Sequence, residues 1–293
     1  MFRTYLYSIL LISCLAFTAC SDEDSKVHEP EPDDIKGLTH PVRISTRASS
    51  GSDVSQVGLY MVYGDMLKNG NYVNNMSLVN DGTGEWTPER TIYWKDKETA
   101  ATFIGYAPYY SSISDAFSYE FFVQTDQSSY QAMQSSDFLW GKVSAQEPTD
   151  TIVEFTLKHI LSFVEVKVVA GNGFSDNELQ DSDLNVVMNG FSTKAVINLF
   201  DGSFSDFSSV AAITPYCYGN LQYSAIIIPQ TVEGAGVVTV SWNGSDYILS
   251  RGLTFASGKH YTLTVTLNKT QGGINVGIGD WEDAGEDFGG TVN

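Results

Sequence analysis

The sequence is poor in basic residues and in histidine, and each shortage excludes a class of function. Its 293 residues include 16 lysines and arginines against 35 aspartates and glutamates, which gives a net charge of −19. A balance this negative repels phosphate backbones and excludes nucleic acid as a partner. The four histidines, His28, His40, His159 and His260, form none of the short motifs of metal sites. No metal or other cofactor is therefore expected.

Motifs of known catalytic chemistry are also missing. The sequence has no GxSxG elbow, no P-loop and no GxGxxG. His159 and Glu165 are a candidate acid–base pair, but a histidine hydrogen-bonded at a domain junction is the simpler interpretation. A glycosidase remains an alternative because it needs only two positioned carboxylates. The sequence predicts a structural or adhesive protein rather than an enzyme.

The N-terminus has the pattern of an export signal over residues 1–19. Arg3 supplies a positive charge, an uncharged apolar run follows over residues 5–17, and the segment ends in Thr18-Ala19-Cys20. The run is shorter than the roughly 20 apolar residues needed to span a bilayer, so it predicts cleavage. The ending resembles a bacterial lipobox, which makes Cys20 the lipidated first residue of the mature protein. The alternative is an ordinary signal peptide with an incidental cysteine.

Residues 20–37 predict an acidic tether. They contain the cluster Asp22-Glu23-Asp24, two prolines and no apolar cluster, so they cannot offset the entropy of ordering. The cluster resembles the tag that directs lipoproteins to the outer face of the outer membrane, where we expect the protein to be exposed.

Cys14 leaves with the signal and Cys20 carries lipid, so Cys217 has no cysteine left to pair with.

Period-two alternation of apolar residues predicts an all-β fold. Strands are predicted at residues 56–63, 90–94, 101–107, 119–124, 151–157, 163–170, 184–188, 194–200, 223–228, 237–242, 247–251 and 260–267. Residues 127–135 and 176–181 can each form one or two helical turns. A sandwich of short strands takes about 100 residues, so the sequence predicts two β-sandwiches in tandem. We place them at residues 38–157 and 158–293.

The first half is rich in aromatic residues, which admit two interpretations. Trp86, Tyr93, Trp94, Tyr106, Tyr109, Tyr110, Tyr130 and Trp140 form this set. Aromatic rings carry large apolar area and fill β-cores, which is the favoured interpretation. Their faces also stack on sugar rings, so a monomeric surface lipoprotein that binds glycans is the alternative function.

Several segments resemble, in order, the Mfa-like fimbrillin family. They are Trp94 followed by ATFIGYAPY at residues 101–109, DFLWG at 137–141, FTLKHILS at 155–162, IIIPQ at 226–230, FASGKHY at 255–261 and Asp280-Trp281. The resemblance extends from about residue 40 to residue 282. It implies two transthyretin-like sandwiches, and a lipoprotein subunit of a surface pilus that adheres to a host or bacterial surface ligand.

The resemblance also implies assembly with other pilus subunits by strand exchange after an arginine-specific cut. Residues 38–47 fit a cleavable strand, because Val42, Ile44 and Thr46 alternate on one face. Arg47 precedes the small-residue stretch ASSGS and is the expected maturation site. The alternative is that Arg43 and Arg47 are edge-strand charges that discourage aggregation.

The C-terminal tail, residues 282–293, is a poor candidate for a donor strand. Its apolar positions other than glycine and proline are Ala284, Phe288 and Val292, whereas a donor should present four or five in alternation. The chain is therefore a structural subunit that donates residues 274–281 instead, or an accessory or tip subunit.

Overall fold

The computed structural model describes residues 40–48, 54–68, 70–80, 86–175, 177–234, 236–249, 252–269 and 273–280. Within these ranges the chain forms nineteen strands, one α-helix and one turn of 3-10 helix. The predicted all-β class is confirmed. The signal peptide, Cys20, the tether and the tail at residues 282–293 lie outside the described residues.

The strands of the first half alternate apolar and polar residues or, in the sheet interior, are apolar throughout. They are β1 (Arg43–Ala48), β2 (Gln56–Val62), β3 (Val73–Asn80), β4 (Trp86–Pro88), β5 (Ala101–Ala107), β6 (Tyr119–Phe122), β7 (Leu139–Gln146) and β8 (Ile152–His159). The helix α1 (Tyr130–Gln134) lies between β6 and β7.

The second half is built in the same way. Its strands are β9 (Ser162–Ala170), β10 (Leu184–Asn198), β11 (Ser203–Ile213), β12 (Tyr216–Gly219), β13 (Gln222–Ile227), β14 (Thr231–Val232), β15 (Val238–Trp242), β16 (Ser245–Leu249), β17 (Leu253–Thr254), β18 (Lys259–Leu267) and β19 (Gly273–Asp280). The 3-10 turn is Asp181–Asp183.

The first sheet has seven strands in the order β1-β8-β7-β5-β2-β3-β4. The interior strand β2 is buried on both faces because nearly all of its residues are apolar. Val57, Leu59 and Met61 point into a first core, whereas Tyr60 and Val62 point into a second, larger core. The first sheet therefore packs on both sides.

Two five-stranded sheets enclose the second core. One has the order β11-β10-β15-β16 with β6 paired to β10, and the other has the order β12-β13-β9-β18-β19. Strand β6 and the buried side chains of Phe121, Met133 and Phe138 belong to this second core although they precede residue 158. The division of the chain at residue 158 stays a prediction, and the two halves share strands and side chains.

Three predicted strand segments differ in kind from the observed strands. Residues 184–188 and 194–200 were predicted as two strands but form the single strand β10, because Gly190 adopts a φ of 82° and lets the chain continue through a bulge. Residues 90–94 were predicted as a strand but form only an isolated bridge between Tyr93 and Pro41.

Candidate functional site

The N-terminal strand β1 lies at the edge of the first sheet and pairs in parallel with β8. The ladder runs from Arg43 opposite Ile152 to Ala48 opposite Leu157. Val42, Ile44 and Thr46 are each at most 7% exposed and fill one side of the first core. The observed strand covers Arg43–Ala48, and Val42, Ile44 and Thr46 are buried in the alternation that the sequence predicts. The cleavable segment at residues 38–47 stays a prediction.

The side of β1 away from β8 contacts the segment around β4. The indole Nε1–H of Trp86 donates a hydrogen bond of 3.1 Å to the carbonyl of Thr46. The amide of Val42 donates to the carbonyl of Ile92 at 2.8 Å, and the amide of Trp94 donates to that of His40 at 2.9 Å. A cleft of about 250 Å³ remains between β1 and this segment. β1 is therefore hydrogen-bonded along both edges. The edge toward β8 has a complete ladder, and the other edge has separate hydrogen bonds.

The predicted maturation residue Arg47 lies inside β1, where it is opposite Thr156. Ala48 is opposite Leu157 and is the last residue of the strand. A bond cut between Arg47 and Ala48 would thus lie at the end of the ladder, and strand ends are where backbone pairing opens most easily. Arg43 is the first residue of the same strand.

The proposed pair of His159 and Glu165 is not brought together. His159 Nδ1 lies 2.8 Å from Asp137 Oδ2, and the two side chains are 6% and 10% exposed. Asp137 Oδ1 also accepts a hydrogen bond from the amide of Phe138. Asp137 could not be paired with His159 from the sequence, because the two become neighbours through the register of β7 against β8, in which Leu139 lies opposite His159.

Glu165 lies instead on the outward face of β9. It accepts a hydrogen bond from the hydroxyl of Tyr218 and lies 3.7 Å from His260 Nε2. Burial raises the pKa of its carboxyl, but His260 and Lys167 outweigh that effect and the pKa is lowered overall. The arrangement stabilises a carboxylate and does not present a base to a cavity.

Three of the eight aromatic residues of the set lie in the cores, as the favoured interpretation predicts for them. Trp86, Trp94 and Tyr106 are 6%, 1% and 0% exposed. Trp140 is partly buried, and its indole donates to the carbonyl of Leu199 at 2.6 Å. These residues cannot stack on a ligand.

Three tyrosines of the set line a cleft of about 550 Å³. Tyr109 and Tyr110 follow β5, and Tyr130 begins α1. Gln131 and Gln134 of α1 and Asp137 contribute the polar part of the wall. This cleft is larger than the one beside β1.

Within the part of the chain that the structure describes, no group of three or more histidine, cysteine, aspartate or glutamate residues could hold a metal ion. None of the helices described there is long and apolar enough to cross a membrane.

A family model described as fimbrillin-like matches residues 46–281. The chain belongs to the fimbrillin-like family. No curated protein sequence matches the chain. The family resemblance predicted from the short motifs is therefore confirmed.

Solved structures with the same fold come from Bacteroides and Porphyromonas species. A candidate cell adhesion protein from Bacteroides uniformis is 21% identical, with 82% of this chain and 99% of that chain covered and a TM-score of 0.65. A second one, from Bacteroides ovatus, is 17% identical, with 85% and 99% covered and a TM-score of 0.66. The tip fimbrial protein Mfa3 from Porphyromonas gingivalis, truncated at its C-terminus, is 10% identical, with 83% and 99% covered and a TM-score of 0.57.

Proposed function

We propose that this protein is a subunit of a surface pilus, exported as an outer-membrane lipoprotein through Cys20 and activated by cleavage after Arg47. Membership of the fimbrillin-like family supports the pilus role. The activation step is supported by the position of β1, which is an edge strand whose buried side chains complete the first core.

The intact link between β1 and β2 keeps β1 in place. A tethered strand competes for its groove at an effective concentration of the order of millimolar, and a cut removes that advantage. The strand would then be held by its ladder to β8, the Trp86 bond and its three buried side chains alone. A strand from another subunit that presents similar apolar groups can displace it, because the vacated edge has unpaired backbone groups and an open core.

The C-terminal region favours an accessory or tip position for this subunit. The strand β19 already pairs with β18 along residues 273–280, so donating it would remove an edge strand from the subunit's own sheet. A subunit at the tip accepts a strand but does not need to donate one.

The test compares Arg47→Ala with its matched control Arg43→Ala, four residues earlier in the same strand. We expect the Arg47→Ala protein to reach the surface and to stay monomeric, whereas Arg43→Ala enters a heat-sensitive high-mass ladder on denaturing gels. N-terminal sequencing of assembled native material should begin at Ala48. A different N-terminus, or assembly of the Arg47→Ala protein, would show that the activation site is misassigned.

The alternative is a monomeric glycan-binding lipoprotein. Trp86, Trp94 and Tyr106 lie in the cores and are not available to a ligand. The observation that favours glycan binding is the cleft beside α1, which Tyr109, Tyr110 and Tyr130 line.

A further inference from the structure

The cleft beside α1 lies where several elements of the first sheet end. It is bounded by the residues that precede and begin β2, by Ala107 at the end of β5, by Leu139 at the start of β7 and by one side of α1. Its volume of about 550 Å³ falls within the roughly 300–1,000 Å³ of small-molecule sites.

The wall that carries Tyr109 and Tyr110 is held by a buried network. The hydroxyl of Tyr106 donates to Asn75 Oδ1 at 2.6 Å and also lies 3.1 Å from the carbonyl of Tyr110. The side-chain amide of Asn75 donates to the same carbonyl at 2.9 Å. This loop therefore has little freedom, and a ligand that binds it does not have to order it first.

The opposite wall, α1, is fixed just as firmly. Ser129 caps the helix by accepting a hydrogen bond from the amide of Ala132, and Met133 is buried in the second core. Just before the helix, the fully buried Gln127 exchanges two hydrogen bonds with the backbone of Ile226 in β13, at 2.7 and 2.9 Å. The two walls are thus set at a constant separation.

The chemistry of the lining combines ring faces with neutral polar groups. Tyr130 is 56% exposed, and Tyr109 and Tyr110 are partly exposed. The amides of Gln131 and Gln134 can each donate and accept hydrogen bonds, and the carboxylate of Asp137 adds an acceptor that is 8% exposed. Among the described residues that line the cleft there is no lysine, arginine or histidine.

We propose that this cleft binds a neutral saccharide. A sugar ring has an apolar C–H face that packs on a tyrosine ring, and hydroxyls that both donate and accept hydrogen bonds with amides and a carboxylate. An anionic ligand is disfavoured because Asp137 is the only charged lining residue in the described part of the chain. A purely apolar ligand would leave the amides of Gln131 and Gln134 without compensation for lost water.

This binding is independent of assembly, since the cleft contains no residue of β1 and does not depend on cleavage. A pilus subunit with such a site would attach to a glycan-coated surface, and the uncut monomer would bind the same sugar.

The experiment uses the soluble mature chain, without its lipid, on an array of neutral oligosaccharides with sialylated and sulfated glycans as charged comparison. Each neutral glycan bound on the array is then titrated by calorimetry. We expect binding of at least one neutral glycan, and we expect Tyr130→Ala and Gln131→Ala each to weaken it about tenfold or more, as the loss of roughly 1.4 kcal/mol would. Both residues are exposed on α1, so the variants should keep the wild-type melting temperature.

The matched control is Phe207→Ala, which removes an aromatic side chain of 44% exposure from β11, outside the cleft. Its affinity should equal that of the wild type. The proposal is overturned if no neutral glycan binds, if charged glycans alone bind, or if the two α1 variants bind as well as the control. The Arg47→Ala protein should bind the same glycan unchanged, so failure of sugar binding and failure of the activation step are distinguishable.

Discussion

Two contacts between a histidine and an aspartate show how burial decides the contribution of such a contact to stability. The contact between His159 and Asp137 and the contact between His40 and Asp150 both measure 2.8 Å. The first pair is about nine-tenths buried, whereas Asp150 is 86% exposed. Water replaces a lost partner at the exposed pair but not at the buried one.

We therefore expect His159→Ala to lower the free energy of unfolding by roughly 2–4 kcal/mol, because it leaves the Asp137 carboxylate buried with one partner fewer. His40→Ala, the matched control, should cost about 0–1 kcal/mol. Urea unfolding of both variants measures the difference. Equal losses would show that Asp137 is reached by water or paired elsewhere.

At the scale of elements, the retention of β1 depends on contacts from two sides. The ladder to β8 is local to one edge, and the Trp86 indole holds the other edge near Arg47. The strength of this second contact determines how often the end of β1 opens.

Trp86→Phe removes the hydrogen bond to Thr46 and keeps most of the ring. We expect opening of β1 to become easier by about 1 kcal/mol, so that its amides exchange about fivefold faster in the peptide that covers residues 40–48. Trp94→Phe is the control, because its indole donates at 3.3 Å to the carbonyl of Thr149 and not to a residue of β1, and because the substitution keeps the backbone bond from Trp94 to His40. Faster exchange in both variants alike would mean that Trp86 has no special role at β1.

At the scale of the whole molecule, β6 of the first half pairs with β10 of the second half. We therefore expect the two halves to unfold in a single transition. Phe121 is 4% exposed in the second core, and its neighbour Phe122 is 56% exposed. Phe121→Ala should cost roughly 3–5 kcal/mol and lower one common melting transition, whereas Phe122→Ala should cost less than about 0.5 kcal/mol. Calorimetry with two separate peaks, only one of them shifted, would instead indicate independent domains.

The proposed lipid anchor of the whole molecule is Cys20. We expect intact mass spectrometry of the membrane-bound protein to show a lipid-modified Cys20 at the N-terminus. Cys20→Ala should be retained as an unprocessed or soluble form. An unmodified Cys20 in membrane-bound wild type, or cleavage at another bond, would contradict the lipoprotein assignment.

Strands in which apolar and polar residues clearly alternate were predictable from the sequence. The alternation arises within the strand itself, because one face is buried and the other is exposed to solvent. Strand β5 has the predicted bounds of residues 101–107, and β2, β9 and β18 differ by one residue at an end. The strands β3, β7 and β11 were missed because asparagine, serine and alanine interrupt their apolar pattern. Ten of the eleven residues of β11 are exposed or only partly buried, so nothing there selects for alternation.

The sequence by itself determined the all-β class, the family and the face of β1 that is buried. Only the tertiary structure decided that β1 runs parallel to β8, that β6 joins the second sheet and that Asp137 rather than Glu165 lies beside His159. It also decided which tyrosines line a cleft and which lie in a core. The physical reason is that the period of apolar residues along a strand indicates which side chains are buried. The partner of a side chain depends instead on the register between strands whose residues are far apart in the chain.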